Sequence, residues 1–487
     1  MSRKLQTDDG NMTTAAPAAA AAAARSANLP LSIMLVAVMI FELAARMTGL
    51  RLIQDAAWMA MALVIALSWR KLGMREIYLL SLAAVLSALA VFRTADPLWE
   101  LRQALDQASF LMAFILLMSL LHETASTSPA VAACGEYLTR QPPARRYYAL
   151  NIGTALLSVL FNIGVVSFLV PLIQRGIART TPGDALNPIR ERRQVSALLR
   201  GFSWCVVWSP TALAPLAVAQ LIPGVDRLLW IEYGVALFAV MLLIGAFEDR
   251  WRFRKVRPAG PRQPVDVPWA SVFRFLAACA WLFGMTAVIS TLSGDTIIFG
   301  LLLACPFMVA GWLAVQSGFP RTTQTDVLQA RLAHIVRTGL PTSAPVAVTL
   351  ACSGFIGRAA AGQVPAAALA DLLHLDAMPD FVLLSLIPPL LSIFSLLALS
   401  PIMMAVFFGS LFAALPVLPA DPTLIAFSIS CGWALSMTFS PFATVVLLID
   451  RVSGIPGRRL TWGWNLAFTV LCAIALVPVF ALLTQGR

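Results

Sequence analysis

The chain has 487 residues, of which 59% are apolar and 12% are charged, and its mean hydropathy is +0.81. This balance excludes a soluble globular domain and predicts an all-α polytopic membrane protein. The formal net charge of +11 would suggest nucleic-acid binding in a soluble chain, but the Lys and Arg residues cluster in short loops between apolar stretches. The positive-inside rule accounts for that distribution. We therefore expect the lipid bilayer, and no nucleic acid, as a partner.

Residues that usually carry catalysis or metal binding are sparse. The seven cysteines are isolated, without a Cys-x-x-Cys pair, which is typical of small apolar filler positions. The histidines lie in or beside predicted loops and lack metal-ligand or nucleophile–base spacing; they are His122, His334 and His374. No Walker motif or glycine-rich phosphate loop occurs in the sequence. We expect neither an enzyme nor a bound cofactor.

The predicted elements begin after a polar and then alanine-rich stretch, residues 1–29, which is typical of a disordered cytoplasmic tail. The first strongly apolar run starts only at Leu31, so we expect an uncleaved first span rather than a signal peptide. Windows of about 19 residues predict eleven membrane spans. They lie near residues 31–49, 53–69, 76–92, 104–121, 195–222, 228–247, 269–292, 296–316, 341–357, 423–449 and 464–484.

The apolar segment 149–173 has basic residues on both sides, which places both of its ends in the cytoplasm. Arg145 and Arg146 precede it, and Arg175 and Arg179 follow it. A chain that enters and leaves the membrane on one side forms a re-entrant hairpin. We expect its tip at residues 161–164.

The apolar segment 381–415 has the opposite flanks. Acidic residues precede and follow it, among them Asp380 and Asp421, which places both ends outside. This predicts an outward hairpin with its tip at residues 399–401 and with a first arm interrupted at Pro388-Pro389. Two hairpins that enter from opposite sides predict inverted repeats.

These elements predict a domain order with a cytoplasmic N-terminus and an external C-terminus in a bacterial cytoplasmic membrane. Residues 30–122 form N-terminal scaffold helices, and 123–247 form the first repeat. A basic cytoplasmic loop, 248–267, separates the first repeat from linking and scaffold helices in 268–360. Residues 361–487 form the second repeat. This scheme places Arg46 and Arg51 outside, although most basic residues lie inside.

One pattern of residues occurs twice, in the middle of the spans 195–222 and 423–449. Gly201 is followed after seven residues by Ser209-Pro210-Thr211-Ala212, and Gly432 after seven residues by Ser440-Pro441-Phe442-Ala443. A further glycine follows each copy, Gly224 and Gly454. Proline frees backbone groups that lipid cannot satisfy, so both spans should be broken helices. Breaks at matching positions of two halves indicate a transport site.

The hairpin tips and the helix breaks should together form a site in the middle of the membrane. Free helix N-termini attract anions there and unwound carbonyls attract cations. Asn162 is the best single candidate, because a membrane-buried amide needs partners for its donors and its acceptor. The candidate residues are Asn162, Gly164, Ser209, Pro210, Thr211, Ser400, Pro401, Thr438, Ser440, Pro441 and Thr444, with sodium near Asn162 and Ser400.

Simpler interpretations stand beside these. Each hydroxyl could bond back to its own helix, and a Ser-Pro kink could serve packing alone. Glu42, Glu232 and Arg274 lie within spans, and for Glu42 and Arg274 snorkelling or inter-helix pairing is a better explanation than transport. A proton route through Glu42 or Asp450 stays open as an alternative to sodium. Arg200 is expected at a span end.

The arrangement resembles the ion transporter superfamily, and within it the divalent anion:sodium symporters, over roughly residues 101–483. Hairpin tips in that family carry Ser-Asn-Thr; the first tip here keeps Asn162 and the second keeps Ser400. The resemblance implies a homodimer with a moving transport domain and a fixed scaffold, and elevator-type secondary transport of a small anion coupled to sodium or protons. The alternative is a membrane-embedded enzyme or assembly factor for envelope lipid or polysaccharide.

Overall fold

The computed structural model describes residues 29–94, 96–125, 128–256, 266–294, 296–317, 329, 333–397 and 399–485. The predicted tail, apart from its last residue, lies outside the described residues, as does the segment 257–265 of the predicted basic loop.

The described residues form helices and connecting turns, without a strand, which confirms the all-α polytopic fold. The helices are α1 Leu29–Thr48, α2 Arg51–Ser68, α3 Met74–Arg93, α4 Pro97–Ala125, α5 Pro129–Thr139, α6 Pro143–Phe161, α7 Gly164–Thr180, α8 Asn187–Cys205, α9 Leu213–Leu221, α10 Arg227–Arg252, α11 Trp269–Ser293, α12 Ile297–Ser317, α13 Leu340–Gly362, α14 Ala366–Leu372, α15 Asp380–Phe394, α16 Pro401–Ala413, α17 Pro422–Phe439, α18 Thr444–Ser453 and α19 Leu466–Thr484. Single π-helical turns, Ile335–Gly339 and Arg459–Asn465, precede α13 and α19.

In the described part of the chain, 11 helical segments are long and apolar enough to cross a membrane. The number of spans agrees with the prediction, but one member of the set is different. The segment Asp380–Leu397, predicted as a hairpin arm, belongs to the set, and the predicted span 195–222 does not. No single helix covers that span, because α8 begins in the polar run Asn187–Arg193 and ends before the Ser-Pro pair, and the helix after the pair, α9, has only nine residues.

The centre of the bundle is an antiparallel pair of long helices, α4 and α13. Gly354 of α13 faces Leu111 of α4, and Gly362 faces the Glu100 carboxylate, so the helices approach closely at small residues. By contrast, α3 and α11 leave most of their apolar surface exposed, as lipid-facing helices do.

The intramembrane acid Glu42 takes part in an inter-helix network, in agreement with the simpler interpretation. Its carboxylate accepts hydrogen bonds from Ser109 Oγ (2.7 Å), Gln54 Nε2 (3.2 Å) and Arg46 Nε (3.0 Å). Arg51 pairs with Asp106 (3.2 Å). Arg46 and Arg51, which the predicted topology places outside, therefore both have carboxylate partners. The pairing reduces the free-energy cost of holding these charges there.

Arg200, which the sequence analysis expects at a span end, lies in the interior of α8. Because α8 extends back to Asn187, Arg200 lies inside the helix with 2% of its surface exposed. Its guanidinium donates to Glu248 Oε2 (2.9 Å) and Asn465 Oδ1 (2.8 Å), and lies over the Phe468 ring. The buried charge is thus paired and hydrogen-bonded, as burial requires.

The first predicted hairpin corresponds to α6 and α7. Both arms are longer than the predicted 149–173, since they include the polar residues at each base. The start of α6 and the start of α8 line one cavity, and Gln174 near the end of α7 bonds Glu191 of α8 (2.8 Å). The two ends of the hairpin therefore lie on the same side of the bundle.

The second predicted hairpin, 381–415, corresponds to α15 and α16, with Ser400 and Pro401 at the tip. The predicted interruption at Pro388-Pro389 is wrong, because α15 continues through both prolines. Pro388 lacks the N–H that Leu384 O would normally accept. Instead, Ser428 Oγ of α17 donates to that carbonyl (2.6 Å). The neighbouring helix satisfies the freed group, so the helix is not broken.

Candidate functional site

The two Ser-Pro segments fold into the same turn. Ala212 N donates to Ser209 O (3.0 Å), and Ala443 N donates to Ser440 O (3.2 Å). Each is a β-turn that has proline at its second position, where the fixed φ of proline suits the turn. The first half-helix ends just before the turn, and the second begins directly after the alanine, at Leu213 and Thr444.

The repeated glycine of the motif has the same environment in both halves. A Cβ at Gly201 would lie 2.2 Å from Asn151 O of α6. A Cβ at Gly432 would lie 2.9 Å from Leu391 Cβ of α15. In each repeat, glycine thus lets the first hairpin arm approach the broken helix closely, through main chain at Gly201 and through the Leu391 side chain at Gly432.

Each turn is also hydrogen-bonded to the end of its hairpin arm. Thr211 Oγ1 donates to Val159 O, three residues before Asn162 (2.7 Å), and Ser440 Oγ donates to Ser395 O, five residues before Ser400 (2.8 Å). The hydroxyl of Ser209 lies 3.1 Å from that of Thr211. These hydroxyls therefore hold the break against the hairpin in both halves, rather than bonding back to their own helix.

The second half-helix of the first repeat starts beside the tip of the second hairpin. Leu221 faces Gly409, and each is the ninth residue of its helix, α9 or α16. The helices run in the same direction, since Asp226 N, just past α9, donates to Thr423 Oγ1, at the start of the helix that follows α16 (3.0 Å). The N-termini of α9 and α16 therefore lie side by side.

The second half-helix of the second repeat, α18, lies beside the second arm of the first hairpin, α7, in the equivalent way. Gln174, the eleventh residue of α7, donates to the carbonyl of Ser453, the tenth residue of α18 (3.1 Å). Both helices run toward the base of the first hairpin, so their N-termini at Gly164 and Thr444 are neighbours. Four helix N-termini thus lie at the four irregular points of the chain, and their free N–H groups and dipoles favour an anion there.

Asn162 joins the two arms of the first hairpin with φ = +48°, a conformation rare for residues other than glycine. Its Oδ1 accepts the Ile163 N–H (2.8 Å), which stabilises the tip locally. Within the described residues, its Nδ2 donor has no hydrogen-bond partner, and the side chain is half-buried. Asn162 therefore offers an amide donor at the tip.

Ser400 and Pro401 form a helix cap at the second tip. Ser400 Oγ accepts the Met403 N–H (3.3 Å) and donates to Ser353 Oγ of α13 (2.7 Å), and Pro401 is the first residue of α16. Serine as N-cap and proline as first residue are both favoured. The Ser400 hydroxyl is thus committed to holding the tip against α13.

The other two candidates differ in role. The Thr438 hydroxyl bonds Thr469 of α19 (2.8 Å) and the Leu435 carbonyl (3.1 Å), so it joins two helices. Thr444 is the first residue of α18 and is half-buried beside the turn. Of all the candidates, Asn162 and Thr444 keep side-chain groups that the described contacts do not use.

His122 is a residue that the sequence analysis set aside. It lies in the last turn of α4, and a Cβ at Gly164 would stand 2.1 Å from its Nδ1. The imidazole packs edge-on against Phe161 (5.9 Å between ring centres), and its buried Nδ1 has no hydrogen-bond partner in the described part of the chain. The sequence feature that could have indicated this residue is the position of a histidine near the end of an apolar span, before a re-entrant hairpin.

No group of three or more His, Cys, Asp or Glu side chains suited to a metal ion occurs among the described residues. A cation at this site would instead be held by the carbonyls that end α6, α8, α15 and α17.

The fold and the duplicated breaks define the class: an all-α polytopic membrane protein with paired helical hairpins and broken helices. No protein-family model matches the chain, and no curated protein matches it. Among solved structures, it is similar to the YdaH transporter of Alcanivorax borkumensis, with 14% identity, a TM-score of 0.52, and coverage of 85% of this chain and 99% of that one.

It also aligns with MtrF of Neisseria gonorrhoeae, described as illuminating a class of antimetabolite efflux pumps. That alignment has 13% identity, a TM-score of 0.49, and coverage of 85% of this chain and 96% of the other. The similarity to YdaH shows that the chain shares the fold of that transporter. The more specific resemblance to the divalent anion:sodium symporters is not confirmed.

Proposed function

We propose that this protein is a secondary transporter that moves a small anion, an organic acid or an inorganic oxyanion, across a bacterial cytoplasmic membrane. The observation that carries this proposal is the pairing of four helix N-termini at matching breaks of two repeats. Such termini bind negative charge without a basic side chain, through free N–H groups and aligned peptide dipoles. The Asn162 amide adds one side-chain donor at the same level.

The hydroxyls at the site explain why the anion would meet mainly backbone groups. Thr211, Ser400 and Ser440 already donate to neighbouring helices. A ligand that displaced them would leave carbonyls unsatisfied, which is costly in a membrane. Specificity would then come from the shape between the tips and from few side chains, Asn162 and Thr444 among them.

The C-terminal ends of the half-helices that precede the tips and breaks support coupling to a cation gradient. Carbonyls at the C-termini of four half-helices favour a cation beside the anion, so sodium near Asn162 and Ser400 suits the site. A proton is the alternative coupling ion, with His122 as the nearest titratable group at the tip. We propose sodium symport as the primary mode and proton coupling as its competitor.

The movement we propose is of the elevator type. The hairpins and broken helices are joined within each repeat by the bonds of Thr211 and Ser440, so they can move as one body. The long helix α4 contacts the first tip through His122, and α13 contacts the second tip through Ser353. These two helices would form the fixed surface along which the moving domain slides. By the family resemblance, the scaffold also forms a homodimer.

The direct test is transport by purified protein in liposomes of defined lipid. Labelled dicarboxylates, sulfate and phosphate are offered under an imposed sodium gradient, a proton gradient or neither. We expect accumulation of one anion class under one gradient, and collapse when an ionophore removes that gradient.

A thermal-shift screen of the same anions, with and without sodium, separates binding from movement, since a ligand stabilises the fold as the logarithm of its concentration over its Kd. If no anion stabilises the protein and none moves under any gradient, the proposal is wrong. Cytoplasmic orientation of Arg145 is checked by labelling a cysteine at that position in sealed vesicles.

A further inference from the structure

A cavity lined by several charged side chains lies away from the hairpin tips, at the basic end of the molecule. It has a volume of about 60 Å³, between the starts of α6 and α8 and the end of α10. A cavity needs about 10–15 Å³ for one water, so this one has room for several waters or one tetrahedral oxyanion. Three guanidinium groups line it, those of Arg146, Arg190 and Arg193, with one carboxylate, Asp249.

Two of the three arginines already have acidic partners. Arg193 binds Asp249 with two nitrogens, Nη2 to Oδ2 (2.7 Å) and Nε to Oδ1 (3.1 Å). Arg190 pairs with Asp184 Oδ2 (2.7 Å). Asp184 is charged, because the Leu186 N–H and Arg190 lower the pKa of its carboxyl. Both carboxylates are therefore used.

Arg146 has no carboxylate partner among the described residues. Its Nε donates to the main-chain oxygen of Gln141 (2.7 Å), a neutral acceptor. Burial and the neighbouring charges of Arg193 and Arg190 lower the pKa of Arg146, yet a guanidinium stays charged at neutral pH. The three guanidinium groups at the cavity thus have two carboxylate partners, Asp249 in its lining and Asp184 beside Arg190, and the charge of Arg146 is left uncompensated.

We propose that this cavity binds a phosphate group, held by Arg146 from α6 and by Arg190 and Arg193 from α8. Guanidinium groups match phosphate oxygens in pairs, and charge-assisted bonds of this kind are the strongest that side chains form. The phosphate comes either from an anionic lipid headgroup or from a soluble molecule. Basic pockets between helices on the cytoplasmic side favour the lipid.

A bound phosphate would connect the base of the first hairpin to α10. It joins Arg146 of the hairpin arm to Arg193, which is itself tied to Asp249 of α10. The occupied site should therefore stabilise the packing of these three elements, whether or not the protein transports anything. The site and the proposed transport function can fail separately.

The test uses purified full-length protein, stripped of lipid by detergent exchange, in a thermal-shift titration. Phosphatidylglycerol, phosphatidylcholine and inorganic phosphate are added separately to the wild type, to Arg146→Gln and to Arg145→Gln. Arg145 is the matched control, because it is adjacent but exposed. We expect phosphatidylglycerol to raise Tm in the wild type and in Arg145→Gln, with affinity weakened by roughly tenfold or more in Arg146→Gln.

The responses to the added compounds distinguish a lipid headgroup from a soluble phosphate as the source of the bound phosphate group. A response to phosphatidylglycerol and not to inorganic phosphate assigns a lipid headgroup, and a response to both assigns a site for free phosphate groups. If neither stabilises the wild type more than phosphatidylcholine and chloride do, the proposal is overturned. Equal responses of Arg146→Gln and Arg145→Gln also overturn it. Should Arg146→Gln fail to fold, Arg146→Lys keeps the charge but loses the paired donors, and must still bind more weakly.

Discussion

Gly201 lies against the main chain of Asn151, so close that a Cβ at position 201 would stand 2.2 Å from the carbonyl oxygen of Asn151. The contact joins the broken helix α8 to the first arm of its hairpin. Gly432 and Leu391 form the equivalent contact in the second repeat, with a Cβ separation of 2.9 Å. The glycine of the duplicated motif is therefore a packing residue, and the serine and proline that follow it form the turn.

We predict that Gly201→Ala destabilises the protein more than Gly432→Ala does. At Gly201 the nearest obstacle is the main-chain oxygen of Asn151, 2.2 Å from the new Cβ, whereas at Gly432 the nearest atom, Leu391 Cβ, lies 2.9 Å away, so the overlap is smaller. Overpacking of this kind typically costs about 1–3 kcal/mol. Thermal denaturation in detergent measures the difference. Gly176→Ala is the control, because nothing lies within 4 Å of its Cβ and alanine favours helix. Equal stability of Gly201→Ala and wild type would contradict the prediction.

Two substitutions at Asn162 separate the role of its backbone conformation from the role of its side-chain amide. Asn162→Gly keeps the positive φ without strain, while Asn162→Ala loses the amide and strains the backbone, at a cost of about 1 kcal/mol. If the Nδ2 donor binds the anion, both variants should lose affinity. Both also lose the Oδ1 bond to the Ile163 N–H, so Asn162→Gly should lose less stability than Asn162→Ala, which adds the backbone strain. Anion titration by thermal shift gives both quantities. Normal affinity in Asn162→Gly would show that the residue serves only the turn.

The tips and breaks could be predicted because their causes are local. Proline at positions 210 and 441 removes an N–H, and charges flank each hairpin within a few residues. The error at Pro388 arose because its freed acceptor, Leu384 O, is satisfied by Ser428, which lies on a different helix. The contact of His122 with Gly164 was missed for the same reason: its position near the end of an apolar span was visible in the sequence, but the partner on a separate helix was not.

The buried Arg200 should contribute stability only as part of its pair with Glu248. Removing one partner, as in Arg200→Met, leaves the Glu248 charge buried beside Arg252 alone, and breaking a buried pair costs about 3–5 kcal/mol. The double variant Arg200→Met with Glu248→Gln removes both charges and should recover much of that loss. Chemical denaturation of the single and double variants measures the coupling. Additive losses would show that the two residues act independently.

His122 connects the scaffold helix α4 to the first hairpin tip, and its role can be determined by replacing the imidazole in two ways. His122→Gln keeps a hydrogen-bonding group of similar reach, and His122→Ala removes it and opens space beside Gly164. If His122 only packs the tip, both variants should bind the anion normally and differ in stability. If the Nδ1 group meets the ligand as a hydrogen-bonding group, His122→Ala should lose transport and His122→Gln should keep part of it. If the imidazole carries the coupling proton, the dependence of transport on an imposed proton gradient should disappear in both variants. Proteoliposome uptake with sodium and proton gradients applied separately distinguishes these cases. Because Nδ1 is buried without a described partner, and an unsatisfied polar group in a membrane is costly, we expect it to meet the anion as a hydrogen-bonding group. With sodium as the proposed coupling ion, sodium-driven uptake should be lost in His122→Ala and partly kept in His122→Gln.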